Sequence, residues 1–481
     1  MSRSAHPRGG RGRTTRSTGI CAGTAARPGG RGPRRIDRSV CRGNAGRHRR
    51  QARWSRPSSH RPLRLPRKRW SSSRKAPMTR SPLPPMSGGR PKPRRRPKPT
   101  RRPRTPIRRY RAPHDPVSRV RMTRLRLAVI GIDHYHSAGW VESLEQLPDE
   151  IEIVALYDPD PTMGQTLAPR FHDPSLSAAL APRYLDLPFY HDLESLLGRE
   201  RLDMALVTLQ NRDAPPAIER LAAASVHLLI DKPAARSAAE ARQAFAAVER
   251  SGIRATVGLT RHFDPAWLQA RELIVTGRLG RLLSAEAVFV TSTVRVRDAA
   301  NHLFDRKLSG HGILLWLGVH YVDGLLWLAG EPIVEVQAAI ANVGRDAIDV
   351  EDAASITLRF NGGALGFLYL SNALPRPASD GYVAVRGTHG SIKLTSDRVM
   401  TWIGAGSRED PVQMEERRYS TVSVGGYGPE ALLQIRDLLD AIRAGREPRV
   451  TGLDLVRALE VIDAAYESAA LGRPVQVRSG A

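Results

Sequence analysis

His227-Leu228-Leu229-Ile230-Asp231-Lys232-Pro233 reads as a short buried strand that runs straight into an acid, a lysine and a proline. Open α/β sheets bind their ligands beyond the carboxyl ends of the strands, so a charge delivered there stands where chemistry is done. Pro233 ends the ladder by removing a backbone donor, and the chain turns out of the sheet. Taken alone, Lys232 reads more readily as a solvated side chain at a strand exit. The surrounding chain has to decide.

On both sides of this stretch, apolar runs alternate with helical segments. Leu125 to Ile130 is a strand ending on Gly131, a helical segment follows over Gly139–Leu147, and Ile151 to Asp158 is a second strand. Met204 to Thr208, the helix around Pro216–Ala224, the helix Ser237–Arg250 and the strand Arg254–Leu259 continue the rhythm. Strands separated by helices of this length predict a parallel, doubly wound sheet over residues 122–260. Past residue 260 several strands follow in succession, with Asn361-Gly362-Gly363 as a hairpin turn. With the closing helices Pro429–Ala444 and Gly452–Leu471, residues 261–481 predict an α+β domain on a largely antiparallel open sheet.

The formal charge of +28 is confined to one end. Residues 1–121 hold 38 Lys and Arg against two acids, leaving 37 basic and 45 acidic residues for the remainder. The remainder is therefore mildly acidic and has no electrostatic reason to bind nucleic acid. The Arg-, Pro- and Gly-rich segment 1–121 cannot bury enough apolar surface to offset chain entropy and is expected to be disordered. Three explanations fit it: a nucleic-acid- or membrane-binding tail, a cleaved targeting segment, or sequence that precedes a true start at Met122. The last is the favoured expectation, because the segment stops where the fold begins.

Both cysteines, Cys21 and Cys41, lie in that segment, so residues 122–481 have no disulfide, zinc–thiolate site or cysteine nucleophile. No apolar stretch of signal-peptide length follows the basic N-terminus, which leads to a cytoplasmic expectation. Gly312 to Gly330 is 19 mostly apolar residues, yet it contains His320, Asp323 and four glycines. It reads as a buried helix and not as a membrane span.

Gly131 stands where a dinucleotide-binding fold places its glycine-rich turn, but the next two glycine places hold Asp133 and His136. Asp158 lies 27 residues after Gly131, at the end of the second strand, where an acid bonds a ribose hydroxyl or simply makes a turn. The cofactor-binding candidates are Gly131, Ile132, Asp133, Asp158, Thr208, Asp231 and Lys232. Farther on, Trp316 and His320 lie four apart and Asp323 three beyond, which on one helix stacks them on a face. An acid one turn from a histidine fixes its tautomer and raises its basicity. His311 and His320 have no metal-ligand spacing, and no metal is expected.

These residues together resemble the Gfo/Idh/MocA oxidoreductases over about residues 124–478. Asp231-Lys232-Pro233 matches that family's Glu-Lys-Pro motif. Gly258 with Arg261-His262-Phe263-Asp264-Pro265 and Gly277-Arg278-Leu279-Gly280 match the start of its C-terminal domain. Gly310-His311-Gly312 with Gly318-Val319-His320 and Asp323 match its glycine-rich helix, and Glu351-Asp352-Ala353 and Gly387-Thr388-His389-Gly390 its late-sheet motifs. The resemblance implies a nicotinamide cofactor, NAD or NADP, with Asp158 favouring NAD. It also implies hydride transfer at a hydroxyl carbon of a sugar, cyclitol or related polyol, and a homodimer or homotetramer.

By the same resemblance Lys232 and His320 are the catalytic pair, with Lys232 polarising the reacting oxygen and His320 moving the proton. Arg261, Trp316, His320 and Asp323 are the substrate-binding candidates. Arg261, His262, Arg295, Arg297 and His302 make either a cationic rim suited to an acidic sugar or a set of solvated side chains. The family's acid four residues before the histidine is Trp316 here, and Ala214 stands where many members have histidine. A non-catalytic dinucleotide- or sugar-binding regulator of the same fold is the alternative.

Overall fold

The computed structural model describes residues 124–132, 136–161, 184, 186–292, 301–344, 348–372, 374, 379–404, 406, 412–419 and 428–478. The basic segment 1–121, Asp133, Arg295 and Arg297 fall outside the described residues.

Six parallel strands form the first sheet: β1 (Leu125–Ile130), β2 (Ile151–Tyr157), β3 (Phe189–Tyr190), β4 (Met204–Val207), β5 (His227–Ile230) and β6 (Ala255–Val257), in the order β3-β2-β1-β4-β5-β6. Successive side chains of one strand enter two different cores. Leu127, Val129, Leu206 and Leu229 pack with Trp140, whereas Ala128, Ile130, Val207, Leu228 and Ile230 face the opposite layer. That two-sided burial is why these strands are unbroken apolar runs. Leu228, Leu229 and Ile230 are all fully buried, a contribution on the order of 6 kcal/mol before chain entropy is counted.

The helices between these strands are α1 (Ser137–Leu144), α2 (Leu193–Arg199), α3 (Ala214–Ala223) and α4 (Ala238–Ser251). Helix α4 starts on Ser237, whose hydroxyl accepts from the Glu240 amide, and stops on left-handed Gly252.

The second sheet has nine strands in the order β14-β13-β12-β11-β7-β10-β9-β8-β15. They are β7 (Leu282–Thr291), β8 (Ile333–Ala341), β9 (Ala353–Phe360), β10 (Leu365–Ser371), β11 (Ser379–Gly387), β12 (Gly390–Thr395), β13 (Val399–Gly404), β14 (Met414–Arg418) and β15 (Val475–Gln476). Among the described residues only β7 and β10 of this sheet pair in parallel. The expected hairpin at Asn361-Gly362-Gly363 joins antiparallel β9 and β10, with Gly363 at φ +86°.

Helices α5 (Pro265–Val275), α6 (Arg306–Ser309), α7 (Ile313–Trp316), α8 (Gly318–Ala329), α9 (Pro429–Ala444) and α10 (Gly452–Leu471) follow among the described residues. Helix α9 returns to the first sheet, where Ala431, Ile435, Leu438 and Leu439 close the core around Trp140.

The stretch expected to be one buried helix is broken at Leu317. Its halves, taken as Arg306–Trp316 and Gly318–Ala329, meet at 45°. Among the described residues no single helix is long and apolar enough to cross a membrane. The segment before the break is held by Glu351. Glu351 accepts from the Gly312 amide (2.8 Å) and the Leu314 amide (3.2 Å), anchoring the start of α7. A side chain on Gly312 would overlap the Glu351 carbonyl, so the close approach requires glycine.

Candidate functional site

The parallel strands end level with one another. Tyr157, Ile130, Val207 and Ile230 are neighbours across β2, β1, β4 and β5. The residues that follow, Asp158, Gly131, Thr208 and Asp231, therefore form a row along the carboxyl edge. The ladder extends into that row: Gly131 N donates to Tyr157 O (2.7 Å), Thr208 N to Ile130 O (2.8 Å) and Asp231 N to Val207 O (2.8 Å).

One end of the row opens into a cleft of about 290 Å³ lined by Gly131, Asp158, Thr208, Leu209, Gln210 and Arg212. Gly131 sits at φ +93°, and a Cβ there would lie 2.7 Å from the Leu209 nitrogen. The Asp158 carboxylate is buried and accepts from the Ile132 amide (2.9 Å) and the Asp160 amide (3.0 Å). The Thr208 hydroxyl donates to Gly131 O and accepts from Ser137 Oγ at 2.9 Å. A glycine that no side chain could replace and a buried carboxylate at a strand end fit the ribose and phosphates of a dinucleotide. Helix α1 has no acid in its first turn to oppose a phosphate.

The other end of the row carries the charged cluster. Asp231 is buried, and both carboxylate oxygens are engaged: His136 Nδ1 lies 2.8 Å from Oδ2, and Trp140 Nε1 donates to Oδ1 at 2.9 Å. Lys232, also buried, points its ammonium at the Trp316 carbonyl, 2.9 Å away. In an unbroken helix that carbonyl would accept from the His320 amide; here the His320 amide turns to Leu317 O (3.2 Å). The break after α7 thus frees the acceptor that Lys232 uses.

His320, two residues into α8, has a sealed Nδ1 with no hydrogen-bond partner, although the residue keeps an accessible edge. Burial, followed by the charges of Lys232, Arg261 and His136, holds it well below the usual histidine range, against a smaller opposing pull from Asp231. His320 is thereby kept as a neutral imidazole close to two cations. Arg261 lies between Trp267 and Tyr321, 5.2 and 5.3 Å from their ring centroids, with a 3.4 Å bond to the Tyr321 hydroxyl.

Lys232, Asp231, His320 and Arg261 are thus brought into one electrostatic neighbourhood, with Gly131, Ile132, Asp158 and Thr208 at the adjoining cleft. Two expectations need correction. Trp316 and His320 do not share a helical face, because the helix breaks between them, and Trp316 offers its carbonyl while its buried indole N–H has no partner. Asp323 does not orient His320; it bonds His262 Nε2 at 3.0 and 3.2 Å, and both residues are buried. His136 and Trp140 were missed as site residues. The signal available was the histidine in a glycine place, which reads only as a departure until its partner 95 residues later is known.

A parallel sheet of order 3-2-1-4-5-6 with this carboxyl edge, followed by a large open sheet whose helix brings a histidine to the strand-end lysine, is the plan of a two-domain dinucleotide oxidoreductase. The chain belongs to the Gfo/Idh/MocA family: residues 125–259 match its oxidoreductase domain with an NAD-binding Rossmann fold, and residues 267–393 match its C-terminal domain. D-apiose dehydrogenase of Paraburkholderia graminis is 26% identical over 298 residues, 60% of this chain and 77% of that protein. Inositol 2-dehydrogenase of Rhizobium meliloti is 28% identical over 292 residues, 59% of this chain and 84% of that one. An oxidoreductase from Agrobacterium radiobacter, solved in complex with NAD+, has a TM-score of 0.61 at 20% identity, covering 74% of this chain and 99% of its own.

Proposed function

We propose that the protein is an NAD(P)-dependent dehydrogenase acting on a hydroxyl carbon of a sugar, cyclitol or related polyol. The observation that carries this reading is the buried Lys232 ammonium, held by the Trp316 carbonyl beside neutral His320 at the edge of the dinucleotide cleft. The relatives named for D-apiose and inositol support the substrate class. Residues 122–260 are the cofactor part and 261–481 the substrate and oligomerisation part.

The nicotinamide, when bound, supplies the acceptor or donor of the hydride. Gly131, Ile132, Asp158 and Thr208 hold the dinucleotide, and Asp231 and Lys232 border its reactive end. Lys232 donates to the substrate oxygen and stabilises the negative charge that develops there. His320 bonds the same hydroxyl as a neutral imidazole, and Arg261 and Trp316 border the substrate. Asp158 disfavours a 2′-phosphate, so NAD is preferred over NADP. Leu365 and Phe367, exposed by 54% and 38% on one face of β10, supply apolar surface for a homodimer or tetramer. Light scattering reads that assembly.

The test is direct. NAD(H) should raise the melting temperature, a polyol panel should change the absorbance of the reduced nicotinamide, and Lys232→Ala should abolish turnover. No thermal shift with either dinucleotide would overturn the reading.

A further inference from the structure

Helix α7 is a single turn, too short to be held in place by its own backbone bonds. Its leading amides have no partner within the turn, and one residue takes three of them in succession. Gly312 N donates to Glu351 Oε2 (2.8 Å), Ile313 N to the Glu351 carbonyl (3.2 Å) and Leu314 N to Glu351 Oε1 (3.2 Å). The Gly312 carbonyl in turn accepts from the Leu315 amide (3.1 Å) and the Trp316 amide (3.0 Å). At the far end of the turn, Trp316 O receives the Lys232 ammonium at 2.9 Å. The place of that carbonyl therefore descends from Glu351 through one turn of backbone.

Glu351 is itself fixed. It is 6% exposed, and the Tyr466 hydroxyl of α10 donates to its Oε1 at 2.6 Å. The next residue, Asp352, is fully buried and ties this segment into the second sheet. Its amide donates to Ala341 O (3.2 Å), its carbonyl accepts from the Asn372 amide (2.8 Å), and its carboxylate accepts from the Val343 and Gly344 amides at 2.7 Å each. Three donors converge on the Glu351 carboxylate, which suits an acceptor-only group. An amide in its place would turn an NH2 group against one of those donors, and two donors facing each other in a buried site are costly.

Resting on the dehydrogenase reading, we infer that Glu351, braced by Tyr466, is a positioning residue for Lys232. An ammonium carries three N–H donors in fixed directions, so aiming one at Trp316 O sets where the others point. By holding α7, Glu351 sets that carbonyl, and the second sheet thereby governs the aim of a lysine that the first sheet delivers. Its part is geometric: it takes no proton in the reaction and acts on Lys232 through the backbone of α7.

The test uses the full chain and its Glu351→Gln and Tyr466→Phe variants, with NAD+ and a polyol that the wild type oxidises, assayed well below each melting temperature. Glu351→Gln should lower kcat per folded molecule by roughly 10- to 100-fold, with the polyol KM changing far less and the NAD+ dissociation constant unchanged. Tyr466→Phe keeps the ring that stacks on His311, 3.6 Å away, and removes one donor to Glu351. Its kcat should fall in the same way but by less. A melting temperature that drops while kcat per folded molecule stays at the wild-type value in both variants would make Glu351 purely structural, overturning the inference and sparing the dehydrogenase reading. If Glu351→Gln does not fold, Tyr466→Phe decides alone, and an unchanged kcat there overturns the inference. A loss of NAD+ affinity as large as the loss in kcat would place the effect in the cofactor cleft and overturn it too. A wild type that binds NAD+ but oxidises no polyol would overturn both.

Discussion

Arg261 and His262 are adjacent in one turn, and His320 and Asp323 are nearly adjacent on one helix, yet these four residues sort into opposite arrangements. His262 and Asp323 form a closed pair: both are buried, the ring lies 3.0 Å from one carboxylate oxygen, and Trp327 packs tilted against it with ring centroids 4.3 Å apart. Arg261 and His320 form an open one, in which burial first, then the charges of Lys232 and Arg261, keep an imidazole with no partner at Nδ1 in its neutral form. The closed pair lines a separate cleft of about 710 Å³ with Trp327, Arg271 and Arg457. Burial raises the Asp323 carboxyl pKa even against the attraction of His262. A buried histidine with a satisfied acid holds the fold; a histidine deprived of one beside a buried lysine has kept its capacity for a ligand.

The closed pair breaks as structure. His262→Leu leaves Asp323 buried without its partner and should cost about 3 kcal/mol in chemical denaturation at pH 7. NAD+ affinity, measured on the fraction that remains folded, should not change. An unchanged denaturation midpoint would show that the pair is not structural.

The open pair breaks as chemistry. His320→Gln should lower kcat by about 100-fold, with the melting temperature nearly unchanged, because no bond at Nδ1 is lost. If the melting temperature falls as it does for His262→Leu, the contrast between the two histidines disappears. Together the two variants separate stability from turnover across a single helix.

How much of this was legible depends on where each contact originates. The strand end at Asp231-Lys232 could be read because strands buried on both faces are unbroken apolar runs, and the charge that ends such a run stands out. The break at Leu317 could not. Ile313 to Ala329 contains no proline, and the start of α7 is held by Glu351, a residue more than thirty positions away whose carboxylate accepts from the Gly312 and Leu314 amides. Tertiary demand overrode a helical pattern. Strand β14, Met414-Glu415-Glu416-Arg417-Arg418, lacks alternation and is mostly exposed, so period gave no signal for it. Asp323 was assigned to His320 because helical spacing ranks local partners first, and spacing says nothing of His262 from a different turn. His136 failed in the same way: the loop was judged against a glycine pattern, and its partner lay on another strand.

The smallest effect concerns acid stability, where histidines held neutral in the fold oppose an acid held protonated. His320 lies well below its ordinary value of 6.5, and burial with Arg306 lowers His311 to about 4. The unfolded chain takes up protons on these rings that the folded chain refuses. The His311 contribution is complete above pH 6.5 and is lost as pH falls toward 4, and that of His320 has the same sign. Burial raises Asp463 from 3.8 to about 6, which has the opposite sign: its contribution is complete below 3.8 and is lost as pH rises through 6. The two effects partly cancel between pH 4 and 6, so wild-type denaturation midpoints should change only gently there. His311→Phe removes one side of the balance while retaining a ring to stack on Tyr466, 3.6 Å away. Its midpoint should therefore fall less than the wild type's between pH 6.5 and 4. An equal or steeper acid loss in that variant would mean that the His311 proton does not contribute, leaving His320 as the acid-sensitive group on the open side of the comparison.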